Sequence, residues 1–370
     1  MDLTSHKGQR IFWQCEMKDV FLSLVRIGIG HPLSPVCLDR IDWAQIEVLA
    51  DQQGLSAIIL DGVEQLPESK RPPKLVLLQW IGNTLQSYEN RYEFYRKAIA
   101  ELAGFYNEHG YKMMVLKGFA CAMNWPKPEH RPCGDIDIWL FGKQKEADIV
   151  LSKENGIVID SSHHHHTVFD WRGFTVENHY DFVNVHHSKS NAEIEKVFKD
   201  LGKDDSHYVE VFCENVNLPS PNLHALFLLR HAMIEFAASS INIRQVLDWA
   251  FYVKKHTNEI DWNWLNEQLE KFHMKDFFNC INAICVENLG FIPSIFPSVQ
   301  INPVLKERVI KEILEPAIPN NKPKNIFARL IWKCRRWKAN EWKHELCYRE
   351  SMWSSFWSGV WGHLLKPASI

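Results

Sequence analysis

The segment Gly134-Asp135-Ile136-Asp137-Ile138-Trp139-Leu140 alternates acidic and apolar side chains with a period of two. On a β-strand, residues i and i+2 leave the same face, so Asp135 and Asp137 stand side by side while Ile136 and Ile138 point into a core. Two carboxylates that close repel each other, and one tends to keep its proton unless something binds them. A divalent cation with oxygen ligands resolves the conflict. Two acids on a solvated edge strand would look the same, so the surrounding sequence has to decide the meaning of the pair.

That surrounding chain is globular in composition. Its 370 residues are 46 % hydrophobic and 24 % charged, which excludes extended disorder and leaves room for about two to three domains. A net charge of −3 gives no broad positive field for non-specific nucleic-acid binding, so any such binding would be local. The apolar stretch at 20–29 is interrupted by Ser23 and Arg26; no secretory leader or membrane span is expected, and a cytoplasmic location is. The nine cysteines lack CxxC pairs, and the spacing of Cys280 and Cys285 suits neither a zinc knuckle nor a redox dithiol. Buried free thiols are the expected reading.

Periodicity divides the chain into helical flanks and a mixed centre. A helix is predicted over 41–50, capped by Asp42 and stopped by Gly54. A longer helix over 75–107 carries Leu78, Ile81, Leu85, Tyr88, Tyr92, Tyr95, Ile99 and Leu102 at helical intervals and ends at Gly110. The apolar run 112–116 then reads as a buried strand stopped by Lys117-Gly118, followed by a short helix over 119–125 that halts near Pro126 and Pro128. After the acidic strand come a helix over 142–154 and two candidate strands, 157–160 and 174–178, flanking the run His163 to His166. The order is β, α, β, α, β, β. From Ala192 onward the pattern returns to helices, including 222–238, 243–256 and 262–272. No internal repeat is present. The expected division is a helical segment over 1–95, an α+β core over 96–190 and a C-terminal helical domain over 191–370.

A glycine turn after a buried strand, two acids separated by one apolar residue, and a third acid, Glu177, on a later strand form a combination that resembles the nucleotidyltransferase superfamily of the DNA-polymerase-β kind. The stretch VLKGFACAMNWPKPEHRPCGDIDIWL, 115–140, is similar to the signature of an uncharacterised nucleotidyltransferase family: leucine-lysine-glycine, a tyrosine-proline-like step (here Trp125-Pro126), an arginine, then glycine-aspartate-hydrophobic-aspartate. Ile41-Asp42-Trp43 with its helix, the histidine run followed by Val176-Glu177, and Ile243-Arg244-Gln245-Val246-Leu247-Asp248 resemble flanking segments of the same family.

The resemblance implies an α+β, polymerase-β-like mixed-sheet core. It also implies transfer of a nucleoside monophosphate from an NTP such as ATP to a hydroxyl or phosphate acceptor, with release of pyrophosphate. Asp135, Asp137 and Glu177 would hold magnesium, or manganese in its place, in the two-metal arrangement of in-line displacement. One departure stands out: the superfamily usually has a second glycine or a serine after the first, whereas Phe119 follows Gly118 here. That departure suits the alternative of a non-catalytic nucleotide-binding or regulatory protein on the same fold.

Other residues admit both a functional and a structural reading. Lys117 is a point charge for the triphosphate or a solvent-facing strand end. Arg131 has the guanidinium for bidentate phosphate recognition or for pairing with a nearby acid. Gly134 allows close backbone approach or a sharp turn. His179 lies two residues after Glu177, on the same strand face, where the family often has a histidine. The run His163 to His166 suits a polar hairpin or phosphate contact, with metal binding by two histidines on alternate faces as the other reading. His231, Arg244 and Asp248 could contact nucleotide or acceptor, or Arg244 and Asp248 could form an i, i+4 ion pair. The tail 322–370 holds ten Lys or Arg against three Glu, about +7 by count, interleaved with Trp332, Trp337, Trp342, Trp353, Trp357 and Trp361. Packing of these tryptophans on the core is preferred over nucleic-acid stacking or a membrane interface, because Trp353, Trp357 and Trp361 recur every four residues.

Overall fold

The computed structural model describes residues 5–32, 41–297, 302–318 and 323–353. Helices α1 (Ser5–Gly28), α2 (Trp43–Gln52) and α3 (Ser56–Glu64) form the N-terminal layer. The Asp42 carboxylate accepts from the backbone N–H of Gln45 and caps α2, as expected. Helices α4 (Lys74–Thr84) and α5 (Arg91–Glu108) are joined by a π-helical turn over Leu85–Asn90, so the long helix is continuous but wrinkled. Its apolar stripe divides at this turn: Tyr88, Tyr92, Tyr95, Ile99 and Leu102 are buried, while Leu78, Ile81 and Leu85 face solvent.

Strands β1 (Met114–Val115), β2 (Ile136–Trp139), β3 (His166–Trp171), β4 (Phe174–His179), β5 (Tyr208–Val211) and β6 (Glu214–Asn217) build a six-stranded sheet in the order β3-β4-β2-β1-β6-β5. It is mixed: β2 runs parallel to β4 and β1 parallel to β6, and the remaining pairs are antiparallel. Helices α6 (Phe119–Ala122), α7 (Gln144–Asn155) and α8 (Lys189–Leu201) connect the strands. Two expectations need correction. The 157–160 segment forms no strand, only a single bridge from Asp160 to Val168; Ile157 and Ile159 rest against the core while Val158 between them is 86 % exposed. Conversely, the reading of helices from Ala192 onward misses the β5–β6 hairpin, so the sheet draws strands from beyond residue 190. The turn of that hairpin is Phe212-Cys213, with both residues at left-handed φ; it lacks the Asn-Gly or Asp-Gly that marks such turns in sequence.

Alternation along the central strands feeds two cores. Met113, Val115, Ile136, Ile138 and Val176 pack with α5 and α7 on one face. Met114, Leu116 and Trp139 face the other way, toward a larger core shared with the helical flanks. That second core contains α9 (Pro221–Ala238), α10 (Ile243–His256), α11 (Trp262–Lys271), α12 (Lys275–Ala283) and α13 (Pro303–Leu314). Asp135 and Asp137 share the parity of Trp139, which directs them toward the helical side.

Helices α14 (Ile326–Ala339) and α15 (Glu341–Cys347) carry the described part of the basic tail. Trp342 packs edge-on against Phe236 of α9, 5.7 Å between ring centroids, with the Arg308 guanidinium 3.9 Å above it. Lys343 is buried and pairs with Glu312 at 2.8 Å. Helix α15 thus packs on α9 and α13, and the backbone N–H of Ser190 on α8 donates to Glu350 at 2.7 Å. Trp353, the described member of the four-residue stripe, is instead 60 % exposed and lies edge-on to Trp337 of α14, and Trp357 and Trp361 lie outside the described residues. Among those residues, no helix is long and apolar enough to cross a membrane. Cys121, Cys280, Cys285 and Cys347 are buried free thiols, whereas Cys213 and Cys334 are exposed.

Candidate active site

Register places the acids. In the parallel β2–β4 pair, Asp137 lies opposite Glu177 and Trp139 opposite His179. Asp137, Glu177 and His179 therefore share one sheet face, and one ligand atom from each lies within 4.8 Å of the others. Asp137 is 5 % exposed and His179 3 %. His179 Nε2 lies 3.2 Å from Asp137 Oδ1 and 3.5 Å from Glu177 Oε2, and Lys117 Nζ is 2.8 Å from Asp137 Oδ1. Two carboxylates and an imidazole converging from adjacent strands form a donor set that fits a divalent cation. Asp135, one residue before β2, stands at the exposed end of this row.

The two acids of the DxD pair occupy different electrostatic environments. Burial pushes the Asp135 carboxyl up, and the neighbouring Glu177 and Asp137 push it further. Burial also acts on Asp137, but Lys117 and His179 override it and hold that carboxyl well below the usual range. Glu177 is likewise lowered, because His179 outweighs its burial. Burial disfavours the charged forms of Lys117 and His179, yet Asp137 keeps both pKa values above ordinary. The repulsion expected of the pair is thus relieved by protein cations on Asp137 and left unrelieved on Asp135.

Gly118 makes the turn after β1 possible. Its φ is +53°, and a Cβ there would lie 2.2 Å from Tyr95 Oη. That hydroxyl donates to the Asp135 carbonyl at 2.8 Å. The glycine therefore lets Tyr95 of α5 reach across and pin the backbone that enters the acidic strand.

A cleft of about 310 Å³ opens between this turn and helices α9 and α10. Lys117, Gly118, Arg131, Gly134, Asp135, Asp137 and Arg244 all line it, while Glu177 and His179 reach Asp137 from beside it. Arg131 meets an acid, as one of its readings held: its Nε and Nη2 donate to the two Asp248 oxygens at 2.7 and 2.9 Å. Trp125 donates its indole N–H to the same carboxylate at 2.8 Å. Asp248 is thereby engaged by the loop, and no ion pair joins it to Arg244 among the described residues. The buried Nε of Arg244 has no hydrogen-bond partner, and burial together with neighbouring Arg131 lowers its pKa.

Sequence reasoning missed Glu235 and Gln245 in this wall. Glu235 pairs with His231 at 2.9 Å, four residues back on α9, and the i, i+4 spacing of that pair was the available signal. Burial raises Glu235, but His231 and Lys117 dominate and hold it down at about 2. His231 Nε2 also lies 3.3 Å from Lys117 Nζ, so the helical side contacts the acidic centre through one cation. The histidine run converges as well. His165, His166 and His179 bring ring nitrogens within 4.8 Å of one another. Burial, reinforced by nearby imidazoles, lowers His165 to about 2. Burial also lowers His166, to about 4, although Glu177 opposes it.

Comparison with known families supplies the assignment. The model of a family described as an uncharacterised nucleotidyltransferase matches residues 39–290. The chain belongs to this family. The matched span contains α2, the whole sheet, the glycine turn, the acidic row and both helices that close the cleft. No curated protein and no solved structure matches the chain. The family's description indicates nucleotidyl transfer, and the chemistry has to be argued from the cleft itself.

Proposed function

We propose that this nucleotidyltransferase is a divalent-cation-dependent enzyme of the polymerase-β-like type. It moves a nucleoside monophosphate from an NTP to a hydroxyl of its acceptor and releases pyrophosphate. The observation that carries the reading is the pairing of Asp137 with Glu177 across β2 and β4, beside a cleft rimmed by a glycine turn and the cations Lys117 and Arg244. Asp135, Asp137 and Glu177 would hold magnesium, with manganese as a chemical substitute. When bound, the cation supplies neutralising charge at the triphosphate and lowers the pKa of the attacking hydroxyl.

The chain's own residues account for the remaining steps. The acceptor oxygen forms a bond to the α-phosphorus, the bond from that phosphorus to the β-bridging oxygen breaks, and its electron pair leaves with pyrophosphate. Glu177 helps remove the hydroxyl proton, either directly or by holding the cation that acidifies it. Lys117, now paired with Asp137, turns to the triphosphate once the carboxylate is otherwise neutralised. Arg244, with a partnerless Nε in the cleft wall, and Arg131, whose Nη1 now donates to the Pro132 carbonyl at 3.3 Å, supply further positive charge. Gly118 and Gly134 let the backbone come close, and His179 holds Asp137 in place.

Thermal-shift titration with the four NTPs, with and without magnesium, tests the binding half of this reading, and pyrophosphate release tests turnover. Stabilisation that needs magnesium and is lost in Asp135→Asn/Asp137→Asn is expected. Full transfer activity in that double variant would overturn the assignment of the acids. Magnesium-dependent binding without turnover on any acceptor would assign the chain a non-catalytic nucleotide-binding role.

A further inference from the structure

The acidic row adjoins a second cluster of different chemistry. His165 and His166 lie at the start of β3, and His179 ends β4 opposite His166 in the antiparallel register. The rings are close: His165 and His166 are 4.3 Å apart between centroids, His166 and His179 5.2 Å, and His165 and His179 5.6 Å. His166 is 6 % exposed, yet neither of its ring nitrogens has a hydrogen-bond partner, and the buried Nδ1 of His165 has none either. A buried imidazole with both nitrogens orphaned forfeits the hydrogen bonding that such groups require; His179, whose own nitrogens meet the Asp181 carbonyl and Asp137 at 3.2 Å, converges on the same point.

We propose that His165, His166 and His179 bind one borderline transition-metal ion of the zinc class, at a site that adjoins the carboxylate site and shares residues with it. Imidazole nitrogen selects such ions, whereas magnesium demands oxygen and dehydrates reluctantly. In a tetrahedral zinc site the ligand atoms lie roughly 3.3 Å apart, from metal–nitrogen bonds of about 2.0–2.1 Å. The three nitrogens are within 4.8 Å of one another, so small ring rotations close the site. Glu177 Oε2 stands 3.5 Å from His179 Nε2 and 3.8 Å from His166 Nδ1, already near that spacing, and is the fourth ligand. His179 and Glu177 thus belong to both clusters, and an ion held by the histidines lies against the acidic row.

The test uses the full chain, stripped with chelator and titrated with cobalt(II) in excess magnesium. One equivalent is expected to give the intense visible bands of a tetrahedral centre, and zinc to abolish them. Asp137→Asn removes only a partner of His179 and should weaken binding by no more than about 10–100-fold. His165→Ala and His166→Ala should each weaken binding by more than roughly 100-fold, since loss of an outer-shell partner alone costs about 10–100-fold. Zinc-edge absorption of the wild-type complex reads the ligands without relying on any variant to fold, and three imidazoles are expected. A carboxylate-dominated shell, unchanged affinity in folded His165→Ala and His166→Ala, or displacement by magnesium would each overturn the proposal. Zinc bound by imidazoles in a chain without nucleotidyl transfer would refute the enzymatic reading and leave this site standing; transfer without such a metal would do the reverse.

Discussion

Alanine at Gly118 tests whether the turn after β1 exists to let Tyr95 hold the acidic strand. At φ +53° a Cβ meets Tyr95 Oη at 2.2 Å, so the substitution strains the backbone and expels the hydroxyl. Sparsely populated backbone conformations cost about 1–3 kcal/mol. Losing the buried bond from Tyr95 Oη to the Asp135 carbonyl costs about 1–3 kcal/mol more. Gly118→Ala should therefore destabilise the protein by about 2–6 kcal/mol in urea unfolding, a large share of the ~5–15 kcal/mol typical of folded proteins. Tyr95→Phe removes the same hydrogen bond without backbone strain, and it also removes the atom that clashes, leaving Cζ at 3.3 Å. The double variant should then be no less stable than Gly118→Ala alone, with a coupling of about 1–3 kcal/mol. Additive losses, or a Gly118→Ala cost below about 0.5 kcal/mol, would refute this account of the glycine.

Other expectations follow from the same contacts. Asp248→Ala strands the buried Arg131 guanidinium and the Trp125 indole and should cost about 3–5 kcal/mol in denaturant unfolding. Lys117→Met removes a cation 2.8 Å from Asp137, so manganese affinity measured by calorimetry should rise by at least about tenfold while NTP affinity falls. An unchanged metal affinity would show that Lys117 does not compete with a cation. His130 is buried between Asp61 at 2.7 Å and Glu89 at 3.3 Å; burial opposes its charge, but Asp61 prevails and raises its pKa above the unfolded value of 6.5. A raised histidine stabilises fully below pH 6.5, and the benefit is lost as pH rises through the folded pKa. Thermal melts should show this slope flattened in His130→Asn.

The sequence was most readable where one physical rule dominated. Strict alternation at 134–140 identified β2, and the same parity argument correctly put Asp137 on a different face from Ile136 and Ile138. Capping by Asp42 and termination near Gly110 are likewise local events, decided within a few residues. What sequence could not show was pairing. That Asp137 meets Glu177 through the register of β2 and β4, that Asp248 belongs to Arg131 instead of its helical neighbour Arg244, and that Glu235 reaches the cleft from α9 all depend on long-range packing. The β5–β6 hairpin stayed hidden because Phe212 and Cys213 take left-handed conformations that sequence assigns to glycine or asparagine. The histidine run resembled a loop because neighbouring residues on alternating faces give no hint that His179, thirteen or more positions later, joins them.

The most direct test of the central claim is the fate of the two ends of the triphosphate. The chain is incubated with magnesium and a fractionated lysate as acceptor source, using NTP labelled at either the α- or the γ-phosphorus, beside Asp135→Asn/Asp137→Asn. Label from the α-position should enter the acceptor, label from the γ-position should appear in pyrophosphate, and both should vanish in the double variant. Transfer of the γ-label, or α-label transfer that survives loss of the two aspartates, would contradict nucleotidyl transfer at the acidic row.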